Sequence, residues 1–318
     1  MFFLSKADLD KRFKLLRTEF QSLGISEELR GWNWQSPPVE PPSRNMFFGV
    51  GDLAARYCKT LRDIYLKRVE NVKPPPNLKM FEGIVYHGVA TDAVTRVKST
   101  LFERGVMGGA DIVEDLMPRV ADACERLIWD AINAVGRLED RDVEAVKRKA
   151  RFFYRYLVVQ AASQVDLTLS KFPHIDVDSL VNQAIPPIVE RKVDGSLVGL
   201  SKELSADVYT PAYAVADLKT GEVRDFHPYA PTGYALAIEA DEETAVNFGM
   251  IIYIRLSAQK PVPTIQTKCF LIGDELRREF LEIRDEAFEI VSNARDPGRP
   301  AVCPDYCPYY AVCTSESK

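Results

Sequence analysis

The chain has 318 residues, 46% hydrophobic and 27% charged, with a formal charge of −5 at neutral pH. This is the balance of an ordinary globular protein with room for one large domain or two modest ones, and it excludes a generally basic nucleic-acid coat. An enzyme acting on nucleic acid stays admissible, because it needs only a local basic groove.

Ser5 to Gly24 reads as an amphipathic helix, with Ser5 and Asp8 at cap and first-turn positions, Phe13, Leu16 and Phe20 at helical spacing, and Gly24 as the stop. No apolar run approaches the ~20 residues of a membrane span. The opening Met1–Lys6 gives way at once to the charged run Ala7–Arg12, so no secretory leader and a cytoplasmic location are expected. Trp32 to Ser43, with Pro37-Pro38 and Pro41-Pro42, is predicted to be a packed connector. One helix over Val50 to Val69 should carry Cys58, and Pro74-Pro75-Pro76 separates it from a helix near Lys79 to Phe102.

Gly109 to Leu169 predicts two or three helices. Within them, Lys147 to Tyr156 interleaves Lys147, Arg148 and Arg151 with aromatics, a pattern able to grip single-stranded nucleic acid through phosphates and stacked bases. The plainer reading is a helix with its aromatics in the core and its cations in water. From Ile185 the pattern turns to strands. Ile188 to Val193, the turn Asp194-Gly195 and Leu197 to Leu200 predict a hairpin, and Ala212 to Lys219 another strand. A helix near Thr232 to Ala240, strands Asn247 to Leu256 and Thr264 to Ile272, and a charged helix Glu275 to Ala294 follow. Asp296-Pro297-Gly298 opens the tail. The expected class is α/β, a mixed core with helical flanks.

Cys58 stands far upstream of Cys303, Cys307 and Cys313, which crowd the tail. Four thiols so placed suit a zinc or iron–sulfur site stapling the tail to the N-terminal region. Disulfides would need an oxidising compartment that nothing here suggests. Cys124 and Cys269, in apolar surroundings, are expected to be inert.

Asp217-Leu218-Lys219 is the segment best suited to chemistry. On a strand, Asp217 and Lys219 share one face, as a simple salt bridge or as a hydrolytic pair. Asp207, at the expected entry to the preceding strand, adds a second carboxylate, giving a hard oxygen site for Mg²⁺ or Mn²⁺. Gly83 and His87, one helical turn apart, offer close backbone approach and a further ligand.

In this order Gly83-x3-His87, Asp207 and Asp217-x-Lys219 resemble the motifs of RecB-type nucleases, a branch of the restriction-endonuclease-like (PD-(D/E)xK) fold. The family's Gln-x3-Tyr helix is matched by Ala230-x3-Tyr234, which keeps the tyrosine and lacks the glutamine. With Cys58 before these motifs and three cysteines after them, the chain resembles the CRISPR-associated RecB-like iron–sulfur exonucleases. The three residues between Cys303 and Cys307 point to the archaeal Csa-type subgroup. The motifs cover about residue 50 to 313, outside the first fifty residues.

The resemblance implies a mixed-sheet nuclease core over 81–274 with a helical insertion. It also implies an N-terminal helical region, 1–80, and a C-terminal helix and cysteine tail, 275–318, that together form an iron–sulfur clasp. It implies Asp207, Asp217 and Lys219 as catalytic residues; His87, Asp207, Asp217 and the Leu218 carbonyl as ligands of Mn²⁺ or Mg²⁺; and Cys58, Cys303, Cys307 and Cys313 as ligands of a 4Fe–4S or 2Fe–2S cluster. Tyr234 would contact DNA. The implied activity is single-stranded DNA exonucleolysis that processes spacer precursors in CRISPR adaptation, beside the spacer integrase complex. No ATP is expected, since no P-loop motif occurs. The alternatives are a catalytically silent DNA-binding partner, a recombination-type nuclease outside CRISPR, and a zinc-stapled scaffold.

Overall fold

A computed structural model describes residues 4–136, 138–210, 214–257, 262–304 and 306–315. Helix α1, Lys6–Leu23, begins with a reciprocal box: the Asp8 N–H donates to Ser5 Oγ and the Ser5 N–H to Asp8 Oδ2, both 3.2 Å. It ends at Gly24, whose φ of 69° suits a residue without Cβ. The expected helix over Val50 to Val69 is two short ones, α2 (Val50–Ala54) and α3 (Arg62–Arg68). Arg56 and Leu61, at φ 43° and 55°, turn the backbone between them into a conformation no helix continues through.

Helix α4, Leu78–Arg104, is capped by Asn77. It packs against α5 (Gly109–Leu116), α6 (Val120–Val135), α7 (Asp140–Lys171) and α8 (Val177–Ala184). Val85, Val89 and Val97 of α4 share a core with Phe153, Leu157 and Ala161 of α7. The aromatics of the basic run therefore turn inward, Phe153 and Tyr154 both being buried.

The α/β expectation holds as a five-stranded mixed sheet in the order β1-β2-β3-β4-β5. Its strands are β1 (Ile188–Val193), β2 (Leu204–Thr210), β3 (Ala214–Lys219), β4 (Phe248–Arg255) and β5 (Thr264–Leu271). Only β3 and β4 run parallel, and the crossover this requires is helix α9, Tyr229–Glu242. Two hairpin expectations need correction. β1 pairs with β2, while Ser196–Val198 forms a 3₁₀ turn and Leu200 bridges to Phe48. Asp207 lies inside β2 rather than at its entry. Ala212 and Tyr213, expected to begin β3, lie outside the described residues.

The α4–α7 layer covers one face of the sheet through Ala214, Ala216, Leu218, Met250 and Ile252. The other face, with Val215, packs on α9 and α10 (Asp274–Ser292). Helix α11, Tyr310–Ser315, closes the tail. Among the described residues, no helix is long and apolar enough to cross a membrane.

Small residues let α9 sink between its neighbours. A Cβ on Gly233 would fall 2.5 Å from the Phe280 ring, and one on Gly31 2.0 Å from the Leu236 carbonyl oxygen. Glu239, fully buried in α9, accepts from Arg30 Nη1 (2.7 Å), Gly31 N (2.9 Å), Val246 N (3.1 Å) and both terminal nitrogens of Arg277 (2.7 and 2.9 Å). Burial alone would raise its pKa, but Arg277 and these other donors hold it below the usual range. Glu239→Ala strands two buried guanidiniums and should cost about 3–5 kcal/mol. Denaturant unfolding measures this; a loss below about 1 kcal/mol would show that water reaches the site.

Candidate active site and cysteine clasp

The β2–β3 ladder runs through Tyr209↔Val215 and Val208↔Ala216 and stops one step short of Asp207 and Asp217. The two acids therefore face each other where the strands part. Asp207 Oδ2 accepts the Leu218 N–H (2.9 Å) and meets His87 Nδ1 of α4 at 3.3 Å. Lys219 Nζ lies 2.7 Å from Asp217 Oδ2, at ion-pair distance but off its hydrogen-bonding directions, so that buried oxygen has no hydrogen bond. Gly83 is not pressed by the chain: a Cβ there would meet only Thr220 Oγ1, at 4.0 Å. Its side of α4 is open space beside the end of β3.

Burial pushes Asp217 up to about 6, the nearby Lys219 only partly offsetting it while Asp207 adds repulsion. Burial works against ionised Asp207 too, yet His87 and the Leu218 N–H hold its carboxyl below the usual range. Burial likewise disfavours the charged forms of His87 and Lys219, but Asp207 raises the imidazole and Asp217 raises the ammonium. Tyr234 is the one half-exposed residue among 230–240. Its hydroxyl is raised by burial and by Asp207, Asp217 and Glu190. The structure thus gathers His87, Asp207, Asp217, Lys219 and Tyr234 from α4, β2, β3 and α9.

Two neighbours escaped the sequence reading. Glu190 of β1 has φ 50°, and the β1–β2 register skips the Glu190/Asp207 position between Val189↔Val208 and Arg191↔Ala206. Its carboxylate accepts from Thr91, one turn beyond His87, and from Ser205. A glutamate followed by Arg191 and Lys192 carries no signal separating it from surface charge. His227 lies before α9; its Nδ1 stands 3.4 Å from the Arg224 N–H and 3.1 Å from Tyr253 Oη. Tyr253 is the Cα partner of Lys219 across the sheet. Burial pushes His227 down to about 4, so it stays neutral.

The break between α2 and α3 aims Cys58 at the tail. All six cysteines are free. Cys307 lies within electrostatic range of Cys58 and Cys313, and Cys313 within range of Cys303. Arg62 grips Asp296 through Nε and Nη2 and donates from Nη1 to Cys313 Sγ (3.3 Å); Thr60 Oγ1 donates to the Gly298 carbonyl (2.7 Å). Burial pushes Cys307 up to about 11 and also raises Cys313, so these thiols are protonated and would release protons to a metal. Cys124, as expected, is buried, and burial pushes it up to about 12; Cys269 is half-buried.

Lys147 and Arg151 of α7 both reach Glu125 of α6, while Arg148 is exposed. Nearby, Lys149 pairs with Glu82 of α4 (2.9 Å).

Two carboxylates of unlike acidity, an ammonium and an imidazole at one opening of a sheet are the equipment of a hydrolase working on an anionic substrate. The family model of the CRISPR-associated exonuclease Csa1 matches residues 1–316. The chain is 32% identical over 308 residues to a Saccharolobus solfataricus protein named CRISPR-associated exonuclease Csa1, covering 96% of each chain. It is 32% identical over 291 residues to a Thermoproteus tenax protein of the same name, covering 92% of each. The chain belongs to the Csa1 CRISPR-associated exonuclease family. Membership supports a CRISPR-linked nuclease and takes in the first fifty residues, which the motif resemblance left out.

The raised Asp217 makes a test. Its folded pKa lies above the unfolded value, so its ionisation destabilises the fold as pH rises through about 6. In protein stripped of divalent ions, Asp217→Asn should be more stable than wild type well above that pH. The gain is on the order of 3 kcal/mol, for a rise from 3.8 to about 6 at ~1.4 kcal/mol per pKa unit. The difference should shrink as pH falls below about 6 and close only below about pH 4, where the carboxyl is neutral in the unfolded chain as well as in the folded one. Thermal melting across pH checks this; a pH-independent difference would mean that Asp217 is not the titrating group.

Proposed function

We propose that this protein is a metal-dependent DNA exonuclease acting on single strands, with a restriction-endonuclease-like core of the PD-(D/E)xK type and an iron–sulfur clasp. The observation that carries the reading is the pair Asp207 and Asp217 at the parting of β2 and β3, with His87 and Lys219 directly against them. Among the described residues, no three His, Cys, Asp or Glu side chains are already set to hold a metal ion. The donors nonetheless fit one in kind. Asp217 Oδ2 is a buried anionic oxygen without a hydrogen bond, and the set of carboxylates, imidazole and carbonyl is hard.

His87, Asp207, Asp217 and the Leu218 carbonyl would hold Mn²⁺ or Mg²⁺, which when bound supplies an activated water and Lewis acidity toward the phosphodiester. Lys219, kept protonated by Asp217, positions the attacking water or holds a phosphate oxygen as charge develops. Tyr234, half-exposed beside the acids, contacts the strand on the α9 side. Arg148, with Lys147 and Arg151 shared with Glu125, adds phosphate contacts along α7.

Cys58, Cys303, Cys307 and Cys313 offer sulfur alone, the donor chemistry of a 4Fe–4S or 2Fe–2S cluster, and Arg62 sets a positive charge against Cys313. The cluster would serve structure, holding the tail beside the site. The biological role we infer is trimming of spacer precursors for CRISPR adaptation, with the spacer integrase complex as partner and without ATP. The family name supports the CRISPR setting.

End-labelled single-stranded DNA incubated with protein and Mn²⁺ should shorten progressively, and chelation should stop it. Asp207→Ala and Asp217→Ala should each abolish shortening in folded protein. Because the acids act as one unit, the double variant should lose little more than either single one. Full activity in Asp217→Ala would end the nuclease reading. The clasp is tested separately: purified protein should be brown and contain iron, and Cys58→Ser should bleach it and lower its melting temperature, whereas Cys124→Ser should keep the colour. Colourless zinc-loaded protein would assign the clasp to zinc.

A further inference from the structure

The turn that delivers Cys58 to the tail also delivers Tyr57 to the active site. The Tyr57 hydroxyl lies within electrostatic range of Lys219, Asp63, Cys307 and Asp217. Its ring meets that of Tyr306 from the cysteine tail edge-on, with centroids 6.3 Å apart at 61°. Over Tyr306 lies the Arg224 guanidinium, 4.2 Å from the ring centroid. Arg224 is fixed from below: its N–H points to His227 Nδ1, which contacts Tyr253, the partner of Lys219 across the sheet. Both tyrosines are partly buried, and the Arg224 side chain keeps 33% of its surface, with its Nη2 paired to the exposed Glu222 at 2.8 Å. Elements that contribute nothing to the hydrolytic set thus place two rings and a cation beside it.

We propose that Tyr57 and Tyr306, with Arg224, form a stacking clamp for unpaired bases of the strand next to the cleaved phosphate. The proposal rests on the nuclease reading and names the residues that would hold the bases of its single-stranded substrate. Aromatic faces backed by a guanidinium take bases of any sequence, while the cation meets the phosphate between them. A base within a duplex has both faces covered by its neighbours, so such a clamp selects single strands or frayed ends. Strain supports the assignment: Arg56 and Leu61, both at positive φ, bracket Tyr57, and a conformation of that kind is retained where a side chain must be aimed.

The test uses the cluster-loaded full chain carrying Asp217→Ala, which binds without turnover. Fluorescence anisotropy compares a single-stranded oligonucleotide with one of equal length whose residues are abasic, so that phosphates match and only bases differ. The base-bearing strand should bind more tightly. Tyr57→Leu and Tyr306→Leu should each remove about tenfold of that preference, leave abasic binding unchanged, and be rescued by the Phe variants. Unsubstituted rings give a second readout: 2-aminopurine near the strand end should be quenched on binding. Equal affinity for the two strands, a preference surviving both Leu changes, or unquenched 2-aminopurine overturns the clamp and leaves the nuclease intact. Protein with Asp217 restored that neither binds nor shortens DNA overturns both.

Discussion

A carboxylate survives in an apolar interior only when donors replace the water it has lost. Glu239 meets that condition by drawing on chain that is distant in sequence: Arg30 and Gly31 from the connector, Val246 from the entry to β4, and Arg277 from α10. The arginines are committed further, Arg30 to Asn247 and Arg277 to the carbonyls of Leu29, Val246 and Ile272. One anion therefore fixes where α9 lies against the sheet, and with it Tyr234, earlier in the same helix and within electrostatic range of Asp207 and Asp217. Helix α10, held by the same anion, leads to Asp296, which Arg62 grips at the clasp. Hydrophobic contact makes this layer stable, but the satisfied charge allows only one position for α9.

How much of this could be read in the residues depended on whether a signal was local. The cap of α1, the stop at Gly24 and the alternation of β3 are decided within a few positions, and there the expectations held to within a residue or two. The hairpin at Asp194-Gly195 failed because a turn signal shows where a chain bends and not which later segment pairs with it. Val50 to Val69 read as one helix because helical propensity continues across Arg56 and Leu61; the break comes from tertiary contacts, Thr60 with Gly298 and Arg62 with Asp296. Of the residues the structure gathers at the candidate site, His87, Asp207, Asp217 and Lys219 were singled out by order and spacing. Glu190 and His227 were not, because each acquires its meaning from a neighbour across the sheet.

The electrostatics of the pair are asymmetric in a useful way. Both acids are buried, but Asp207 has an imidazole and a peptide N–H as compensation, whereas Asp217 has a lysine that is poorly aligned and a like charge opposite. The cost of bringing two carboxylates together is concentrated on one of them. A divalent cation would relieve that cost where it is greatest, at Asp217 Oδ2, and binding energy gained this way grows with the strain of the empty pair.

The segment between α2 and α3 belongs to the clasp and the centre at once. Cys58 lies within electrostatic range of Cys307, and the preceding Tyr57 within range of Lys219, with one positive-φ residue, Arg56 or Leu61, on each side. Without bonds from Thr60 and Arg62 to the 296–298 turn, nothing local favours this conformation over continuing the helix, in which Tyr57 would point elsewhere. The bonds that hold the 296–298 turn against Thr60 and Arg62 therefore also bear on where Tyr57 lies. The thiol cluster, though apart from the acid pair, is thereby tied through Tyr57 to the neighbourhood of Lys219.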